Sequence, residues 1–170
     1  RYTLVERSPA ACAAHAETLE THASSVSNSG VELPKKVVGV IFANELLDAL
    51  PVHPIVMTES GLREVYVDVD GKRLVERLGI VSRGVREHIK RFNIHLEPGW
   101  RAEVSPETVD WIEEAGRRLE RGFLVILDYG HNATELYSPT HANGTLASYR
   151  HHQVKTDLPS ERRSPPWLET

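Results

Sequence analysis

A group of polar residues follows directly after an apolar stretch in the first third of this sequence. The stretch 37–42 is apolar and mostly β-branched, and Asn44, Glu45 and Asp48 come next. Such a composition is typical of a strand that is buried on both faces of a parallel sheet. Because ligands of open α/β sheets bind at the carboxyl ends of the strands, the amide and the two carboxylates are candidates for ligand contact. Asp48 has a simpler interpretation as a charge that orients the loop.

A second polar group, Asp128 and Tyr129, follows another apolar stretch at 123–127. The two groups would meet in one crevice if their strands are neighbours in the sheet. The alternative is structural: Asp128 caps a turn, and Tyr129 is a packed aromatic residue whose hydroxyl reaches water.

A further acidic residue, Glu6, ends a short predicted strand at 2–5. Ser8 and Pro9 follow it, and both residue types are common where a helix begins. A carboxylate between a strand and a helix can accept two hydrogen bonds from a diol, which is how dinucleotide-binding folds hold a ribose. Glu6 is therefore a candidate ribose ligand, and the alternative is a solvated charge at a strand end.

The segment 52–78 has a different pattern, in which apolar residues occur at every second position. Its three runs are separated by Ser60-Gly61 and Asp70-Gly71, and the second dipeptide favours a tight two-residue turn. We therefore predict an antiparallel β insert at 52–78. Helices are predicted over 10–20, over 82–92 and from Ser105 onward, and the polar segment 21–36 is predicted to be a surface loop.

Composition restricts the classes of protein. A length of 170 residues is typical of one domain, and a net charge of -4 provides no basic surface for nucleic acid. The single cysteine, Cys12, excludes an intramolecular disulfide and fits a reducing compartment. No apolar run approaches the ~20 residues of a membrane span. We expect a cytoplasmic protein, or a mitochondrial matrix protein if eukaryotic, and its association into a homo-oligomer is compatible with the sequence.

The sequence does not begin with methionine and starts inside an apolar strand pattern, so we expect further chain upstream. Residues 158–170 contain Pro165-Pro166 and a charged run, which predict an extended tail. Four histidines lie in or beside one loop, but their spacing matches no familiar zinc pattern, and we predict no metal site. These are His131, His141, His151 and His152.

Four sequence blocks carry a family resemblance. They are YTLVERSP at 2–9, ANELLDALP at 43–51, LVILDYG at 124–130 and GTLASYRHH at 144–152. In this order they resemble the S-adenosylmethionine-dependent methyltransferases related to the mitochondrial complex I assembly arginine methyltransferase and its MidA-like bacterial relatives. The family's first glycine-rich loop is not among them. The resemblance implies an α/β fold with an incomplete Rossmann-like methyltransferase sheet and the antiparallel insert, in a partial methyltransferase domain at 1–157.

The resemblance also implies a cofactor, an acceptor and a set of site residues. S-adenosylmethionine would be the methyl donor, and the acceptor in the mitochondrial member is a protein arginine, so we expect a protein substrate as partner. Glu6 would contact the ribose, and Asn44 would join it as a cofactor-binding residue. The candidate catalytic residues lie beside the methyl donor or in the second polar group, and they are Glu45, Asp48, Asp128 and Tyr129.

Two other functions compete with methyl transfer. A truncated or degenerate relative could keep the fold and act as a non-catalytic assembly or interaction module, and binding of the methyl donor would distinguish it from an enzyme. A nucleotide-dependent oxidoreductase of similar topology is disfavoured because the sequence contains no GxGxxG motif.

Overall fold

The computed structural model describes residues 1–71, 73–146, 148–150 and 153–155, the last two ranges by their backbone alone. The strands in the described residues are β1 Tyr2–Val5, β2 Val26–Gly30, β3 Val37–Asn44, β4 His53–Thr58, β5 Gly61–Asp70, β6 Arg73–Gly79, β7 Arg101–Val104, β8 Leu119–Leu127, β9 Ser148–Arg150 and β10 Gln153–Lys155. The α-helices are α1 Pro9–Leu19, α2 Arg83–Arg91, α3 Pro106–Arg118 and α4 Ala133–Leu136, with 3-10 helices at Glu20–Ser25 and Pro139–His141.

The chain divides into two compact units. The first comprises Arg1–Asn44 and Trp111–Leu127, and the second comprises Glu45–Asp110 and Asp128–Thr170. The assignment of 1–157 to one partial domain stays a prediction. The predicted tail at 158–170 lies outside the described residues, as do Ala147, His151 and His152. Within the described residues, no helix has the length and apolar character needed to cross a membrane.

The first unit contains a parallel pair of strands, β1 and β2, next to α1 in the chain. The helix begins as the sequence indicates, because Ser8 Oγ accepts the N–H of Ala11 at 3.3 Å. The prediction of a loop over 21–36 is wrong for the sequence VSNSG, which forms β2. Polar residues can form this strand because its backbone groups pair with β1, and the Glu6 N–H donates to Gly30 O at 2.9 Å.

A second parallel pair in the first unit consists of β3 and β8. Gly39 lies opposite Gly122 in this pair. A Cβ added to Gly122 would fall 1.7 Å from the carbonyl oxygen of Gly39, and Gly122 has a φ of +134°. Glycine is therefore required at position 122 for the two backbones to approach each other here.

The expectation that these strands are buried on both faces is wrong. Ile41 and Ala43 of β3 are 6% and 5% exposed, but the residues that alternate with them face outward. Successive side chains of a strand point to opposite faces, so packing on one side buries only every second residue. The exposed residues form what we call the apolar face, which consists of Val38, Val40, Phe42, Phe123 and Leu127.

The second unit contains the antiparallel insert as a four-stranded sheet in the order β6-β5-β4-β7. Asp70, the last residue of β5, pairs with Arg73, the first residue of β6, so the hairpin forms with Gly71 in the connection between the two strands. Gly71 has a φ of +62°, which glycine adopts without the strain that a side chain would cause. The predicted hairpin is therefore confirmed. A fourth strand, β7, pairs antiparallel with β4, although it begins 22 residues after the end of β6 at Gly79.

The core of the second unit lies between this sheet and α2. Ile55 of β4 and Val85 of α2 are fully buried there, together with Val81, Ile94, Ala102 and Val104. Leu62, Ile89, Leu96 and Tyr137 pack against this cluster. Burial of each large aliphatic side chain contributes about 1.5–3 kcal/mol, so the cluster holds the sheet and α2 in a fixed arrangement.

Candidate functional site

The register of the parallel pair brings the two predicted polar groups to the same end of the strands. Asn44, the last residue of β3, lies opposite Leu127, the last residue of β8. The strands are therefore neighbours, which was the condition for the two polar groups to meet in one crevice. Asn44 is exposed at the end of β3, and Glu45 and Asp128 are the first residues after the two strands.

Asp128 fixes the loop that follows β3. Its Oδ2 atom accepts the N–H of Leu47 at 2.7 Å, and its Oδ1 atom accepts the N–H of Tyr129 at 2.9 Å. The carboxylate is half-buried, and hydrogen bonds from backbone N–H groups to a charged acceptor are stronger than those to a neutral one. Asp128 thus caps a turn, as the structural interpretation of this residue predicted. The same contacts join the loop after β3 to the segment after β8.

Tyr129 does not pack in the core. It is 80% exposed, so the interpretation of this residue as a packed aromatic is wrong. A tyrosine with an exposed ring and hydroxyl can contact a ligand through both groups. Contact between Tyr129 and a substrate stays a prediction.

Glu45 and Asp48 occupy the loop that Asp128 holds. Glu45 has a φ of +48°, a conformation that is uncommon for residues other than glycine, and its side chain is exposed. Asp48 is also exposed and lies in the turn that the Leu50 N–H closes by donating to Leu47 O at 3.2 Å. Residues other than glycine that adopt a left-handed backbone conformation are frequent at functional sites. The two carboxylates are accessible, and their chemical roles stay predictions.

Glu6 lies at the end of β1, in the first unit. Its Oε1 atom accepts the N–H of Ser8 at 2.7 Å, and the side chain is half-buried. An ionised carboxylate has about four lone-pair positions, so Glu6 can accept further hydrogen bonds while it keeps this one. The geometry fits a diol ligand, and ribose contact by Glu6 stays a prediction.

Sequence reasoning missed a triad of ionisable residues in the second unit, in which the buried Glu64 contacts the half-buried His53, and His53 contacts the more exposed Glu107. His53 Nδ1 lies 2.8 Å from Glu64 Oε1, and His53 Nε2 lies 3.2 Å from Glu107 Oε1. Glu64 is 2% exposed, and its Oε2 atom accepts the N–H of Ser82 at 2.7 Å. The three residues come from β4, β5 and the first turn of α3, and no spacing motif connects them.

Contacts within the triad shift the pKa values of His53 and Glu64. Desolvation lowers the pKa of His53, but the hydrogen bonds and charges of Glu64 and Glu107 outweigh it, so the pKa is raised above its ordinary value. Desolvation raises the pKa of Glu64, but hydrogen bonds from the Ser82 backbone and from His53 outweigh it and lower that pKa. Both shifts favour the charged forms of the two side chains.

We expect the triad to make the stability of the second unit depend on pH. A raised pKa of His53 stabilises the fold below the unfolded value of 6.5 and loses this effect as pH rises through the folded value. A lowered pKa of Glu64 stabilises the fold above 4.5 and loses this effect as pH falls through the folded value. The contribution of His53 and Glu64 to the free energy of unfolding should therefore be largest between pH 4.5 and pH 6.5.

Urea unfolding of the wild type and of His53→Gln, measured across this range and at alkaline pH, tests the expectation. The wild type should lose stability as pH rises above neutral, and the variant should lose less because it has no imidazole to deprotonate. His95→Gln is a matched control, since His95 is exposed and bonds only locally to Asn93 at 3.1 Å among the contacts described. Equal pH profiles for wild type and His53→Gln would contradict the assignment.

A cavity of about 470 Å³ opens beside the triad. His53 and Glu64 line it, and its walls are mainly apolar residues: Val65, Val67, Leu74 and Val75 of the insert, together with Leu146. Arg101 and Glu76 also line the cavity, and they form a two-point ion pair at 3.0 and 2.7 Å. The volume is within the range of small-molecule sites, which commonly combine apolar walls with a few polar groups.

A family model described as "Putative S-adenosyl-L-methionine-dependent methyltransferase" matches residues 1–163 of the sequence. The chain belongs to this methyltransferase family. The match includes all four blocks that carry the resemblance, and the methyltransferase family uses S-adenosylmethionine as its cofactor. The resemblance inferred from the sequence is therefore confirmed.

Curated relatives of this methyltransferase chain include the mitochondrial protein arginine methyltransferase NDUFAF7 of two mammals. The Homo sapiens protein is 36% identical over 95 residues, and the Bos taurus protein is 33% identical over 127 residues. These matches cover 55% and 74% of this chain, but 21% and 27% of the relatives. The chain thus spans about a quarter of the length of the relatives it matches.

Two crystal structures from Burkholderia thailandensis are similar to this methyltransferase chain. One structure is of a protein described as uncharacterized. It has a TM-score of 0.83 and 27% sequence identity, and the superposition covers 94% of this chain and 44% of the Burkholderia chain. The other, described as a "likely methyl transferase", is bound to S-adenosyl-homocysteine; its TM-score is 0.80 at 27% identity, with coverage of 94% and 42%. The predicted α/β, Rossmann-like methyltransferase fold with an antiparallel insert is confirmed.

Proposed function

We propose that this chain forms part of an S-adenosylmethionine-dependent methyltransferase that acts on a protein arginine side chain. Membership of the methyltransferase family and similarity to a structure bound to S-adenosyl-homocysteine support the activity. The names of the NDUFAF7 relatives support arginine as the acceptor. The observation that carries the proposal is the loop after β3, which Asp128 holds at the carboxyl end of the β3–β8 pair.

The chemistry of the candidate residues suits this reaction. S-adenosylmethionine supplies an electrophilic methyl group on a sulfonium sulfur, so that an acceptor nitrogen forms a new bond to carbon while the carbon–sulfur bond breaks. Glu45 and Asp48 are exposed carboxylates in the held loop, and they can orient a guanidinium group by accepting its N–H bonds. They also stabilise the positive charge of the acceptor until its proton leaves for water.

The cavity beside His53 supports an acceptor with an apolar stem and a cationic end. Its aliphatic walls can cover the methylene groups of an arginine, and the carboxylates of Glu64 and Glu103 line the same cavity. Glu64 already interacts with His53, and Glu103 Oε2 accepts the N–H of Thr145 at 2.7 Å. These partners fix the carboxylates in place, which favours a ligand of defined geometry over a loosely bound cation.

We also propose that the protein works in a reducing compartment, either the cytoplasm or the mitochondrial matrix. The NDUFAF7 relatives are named as mitochondrial, and the single cysteine Cys12 fits either compartment. Fractionation of the source cells, with detection by an antibody against the chain, tests this assignment. Detection in a secreted or oxidising fraction would contradict it.

A non-catalytic interaction module is the second candidate function, and the apolar face favours it. Phe42 and Phe123 are 62% and 72% exposed on neighbouring strands. Contiguous exposed apolar side chains often mark surfaces that bind another protein. An interaction module does not need to bind the methyl donor, so donor binding separates the two functions.

Calorimetric titration of S-adenosyl-homocysteine into the chain tests the enzyme directly. The Burkholderia thailandensis protein that crystallised with this ligand is the positive control. We expect both proteins to bind with a stoichiometry of one, and methylation of an arginine-containing peptide by the chain would support the acceptor class. Binding by the control alone would overturn the proposal for this chain and favour the interaction module.

Substitution of two glutamates should weaken donor binding or methyl transfer without unfolding the chain. Glu6→Ala removes the proposed ribose contact. Glu45→Ala removes the carboxylate that directly follows β3, and because alanine also has a Cβ, the backbone strain of the positive φ stays the same. A lost hydrogen bond to a neutral ligand group costs about 1 kcal/mol, so the affinity for S-adenosyl-homocysteine should fall about fivefold in Glu6→Ala. Glu45→Ala should instead lower the rate of methyl transfer to an arginine-containing peptide, because it removes a carboxylate that orients the acceptor.

Two exposed glutamates provide matched controls for these variants. Glu17 lies on α1 in the first unit, and Glu59 follows β4 in the second unit. Glu17→Ala and Glu59→Ala should bind the ligand like the wild type, with circular dichroism showing an intact fold in all four variants. Unchanged affinity in Glu6→Ala together with unchanged methyl transfer in Glu45→Ala would remove the site assignment.

A further inference from the structure

Two histidines and a glutamate meet in the segment that follows Asp128. Their potential ligand atoms, one from each of His131, Glu135 and His141, all lie within 4.8 Å of one another. His131 Nδ1 is 3.2 Å from Glu135 Oε1, and the ring centroids of His131 and His141 are 4.3 Å apart. The spacing of these residues in the sequence gave no indication of this cluster, because His141 returns to it through the turn after α4.

Local contacts hold the three side chains in this arrangement. Glu135 Oε1 pairs with His131, and the Glu135 carbonyl oxygen lies 3.1 Å from His141 Nδ1. An Nδ1–H donor to a carbonyl leaves Nε2 of the ring with a free lone pair, and this is the usual orientation of metal-binding histidines. The Ser138 hydroxyl donates to the same carbonyl oxygen at 2.6 Å, which fixes the turn between Glu135 and His141.

The segment is also connected to the folded core of its unit. Asn132 Oδ1 accepts the N–H of Glu135 at 3.0 Å and begins α4, and Tyr137 packs against the core cluster. The cluster of ligand atoms therefore lies on a segment with a defined backbone. Preorganisation of this kind reduces the entropy that is lost when a ligand binds.

We propose that His131, Glu135 and His141 form a binding site for a divalent transition metal of the Zn²⁺ class. Two imidazoles and one carboxylate match the ligand preference of zinc, whereas Mg²⁺ and Ca²⁺ prefer oxygen ligands alone. With neutral rings the three side chains carry one negative charge, which attracts a cation. A water molecule or another ligand completes a tetrahedral site.

The metal requires only a small closure of the cluster. Zinc binds nitrogen and oxygen ligands at about 2.0–2.2 Å, which places tetrahedral ligand atoms about 3.4 Å apart. His131 Nδ1 and Glu135 Oε1 already have a separation of 3.2 Å. His131 and Glu135 are exposed, so rotation of these two side chains can close the site around His141 while His141 Nδ1 keeps its contact with the Glu135 carbonyl oxygen.

Titration of Zn²⁺ into the metal-free chain, monitored by calorimetry, tests the site. Cobalt provides a second measurement, because tetrahedral Co²⁺ with nitrogen and oxygen ligands has visible absorption bands and shows no thiolate charge-transfer band. We expect one Zn²⁺ per chain, the tetrahedral Co²⁺ spectrum, and an upward shift of the melting temperature when the metal is present.

Three variants give the result a clear interpretation. His141→Ala and Glu135→Gln should each lower the affinity for Zn²⁺ by at least about tenfold, and the Co²⁺ bands should disappear. Glu135→Gln keeps the backbone contacts of α4, so a loss of Zn²⁺ binding in this variant cannot be attributed to local unfolding. His95→Ala is the control, since His95 is an exposed histidine elsewhere in the same unit.

Two results would overturn the proposal. One is the absence of saturable Zn²⁺ binding to the wild-type chain. The other is binding that His141→Ala and Glu135→Gln leave unchanged or that His95→Ala weakens to the same degree, because this pattern indicates adventitious binding to surface histidines. Neither result affects the proposal of methyl transfer, which is tested by S-adenosyl-homocysteine.

Discussion

The replacement Asp128→Asn should lower the affinity for S-adenosyl-homocysteine by about tenfold or more. Both carboxylate oxygens of Asp128 accept backbone N–H groups, from Leu47 and from Tyr129. An asparagine keeps the shape but offers one acceptor oxygen, so its NH₂ group must face one of the two N–H donors. Loss of a hydrogen bond to a charged acceptor costs about 2 kcal/mol, and the cost falls on the loop that carries Glu45 and Asp48.

Two measurements separate a local effect of Asp128→Asn from a global one. Calorimetry gives the change in affinity, and hydrogen exchange of the Leu47 and Tyr129 amides reports whether the loop has opened. Asp110→Asn is the matched control, because Asp110 is an exposed residue of α3 in the same unit. Wild-type affinity together with wild-type exchange at both amides would contradict the role of Asp128 as the residue that holds the loop.

The replacement Glu64→Ala should destabilise the second unit by about 3 kcal/mol. Glu64 is 2% exposed and connects β5 to His53 on β4 and to the Ser82 N–H, which precedes α2. Truncation leaves a half-buried imidazole and a backbone donor without their acceptor, and removal of one partner from a buried ionic pair costs about 3–5 kcal/mol. We take the lower end of that range because the His53 side chain is 30% exposed.

Urea unfolding near pH 6, followed by circular dichroism, measures the effect of Glu64→Ala. Glu59→Ala removes an exposed glutamate of the same unit and should change stability by less than about 0.5 kcal/mol. Glu64→Gln keeps the volume and loses the charge, so it should destabilise less than alanine and should also flatten the pH dependence of stability. A loss below about 1 kcal/mol in Glu64→Ala would show that the triad is not an important source of stability.

The local chemistry of the sequence was sufficient to predict many boundaries of the elements. Ser8 and Pro9 begin α1, and Gly71 lies in the connection between β5 and β6 with a positive φ. Each of these depends on a hydrogen bond or a φ angle within a few residues, and such preferences are encoded in the residue type. The sequence alone also indicated the apolar runs of β3 and β8 and the four blocks that carry the family resemblance.

Some strand assignments required knowledge of the partner strand. The sequence VSNSG has the composition of a loop, yet it forms β2 because β1 supplies partners for its backbone. The apolar composition of β3 and β8 predicted burial on both faces, but composition reports how apolar a strand is and does not report what covers each face. The apolar face at Val40, Phe42 and Phe123 was therefore not foreseen.

The sequence by itself determined the family, the local starts of helices and turns, and the candidate residues Glu6, Asn44, Glu45, Asp48, Asp128 and Tyr129. Only the tertiary structure decided which side chains meet. Asp128 contacts the Leu47 N–H across 81 positions of sequence, and His53 contacts Glu107 across 54. Long-range contacts of this kind depend on strand register and on the packing of α2 and α3, and no short segment contains that information.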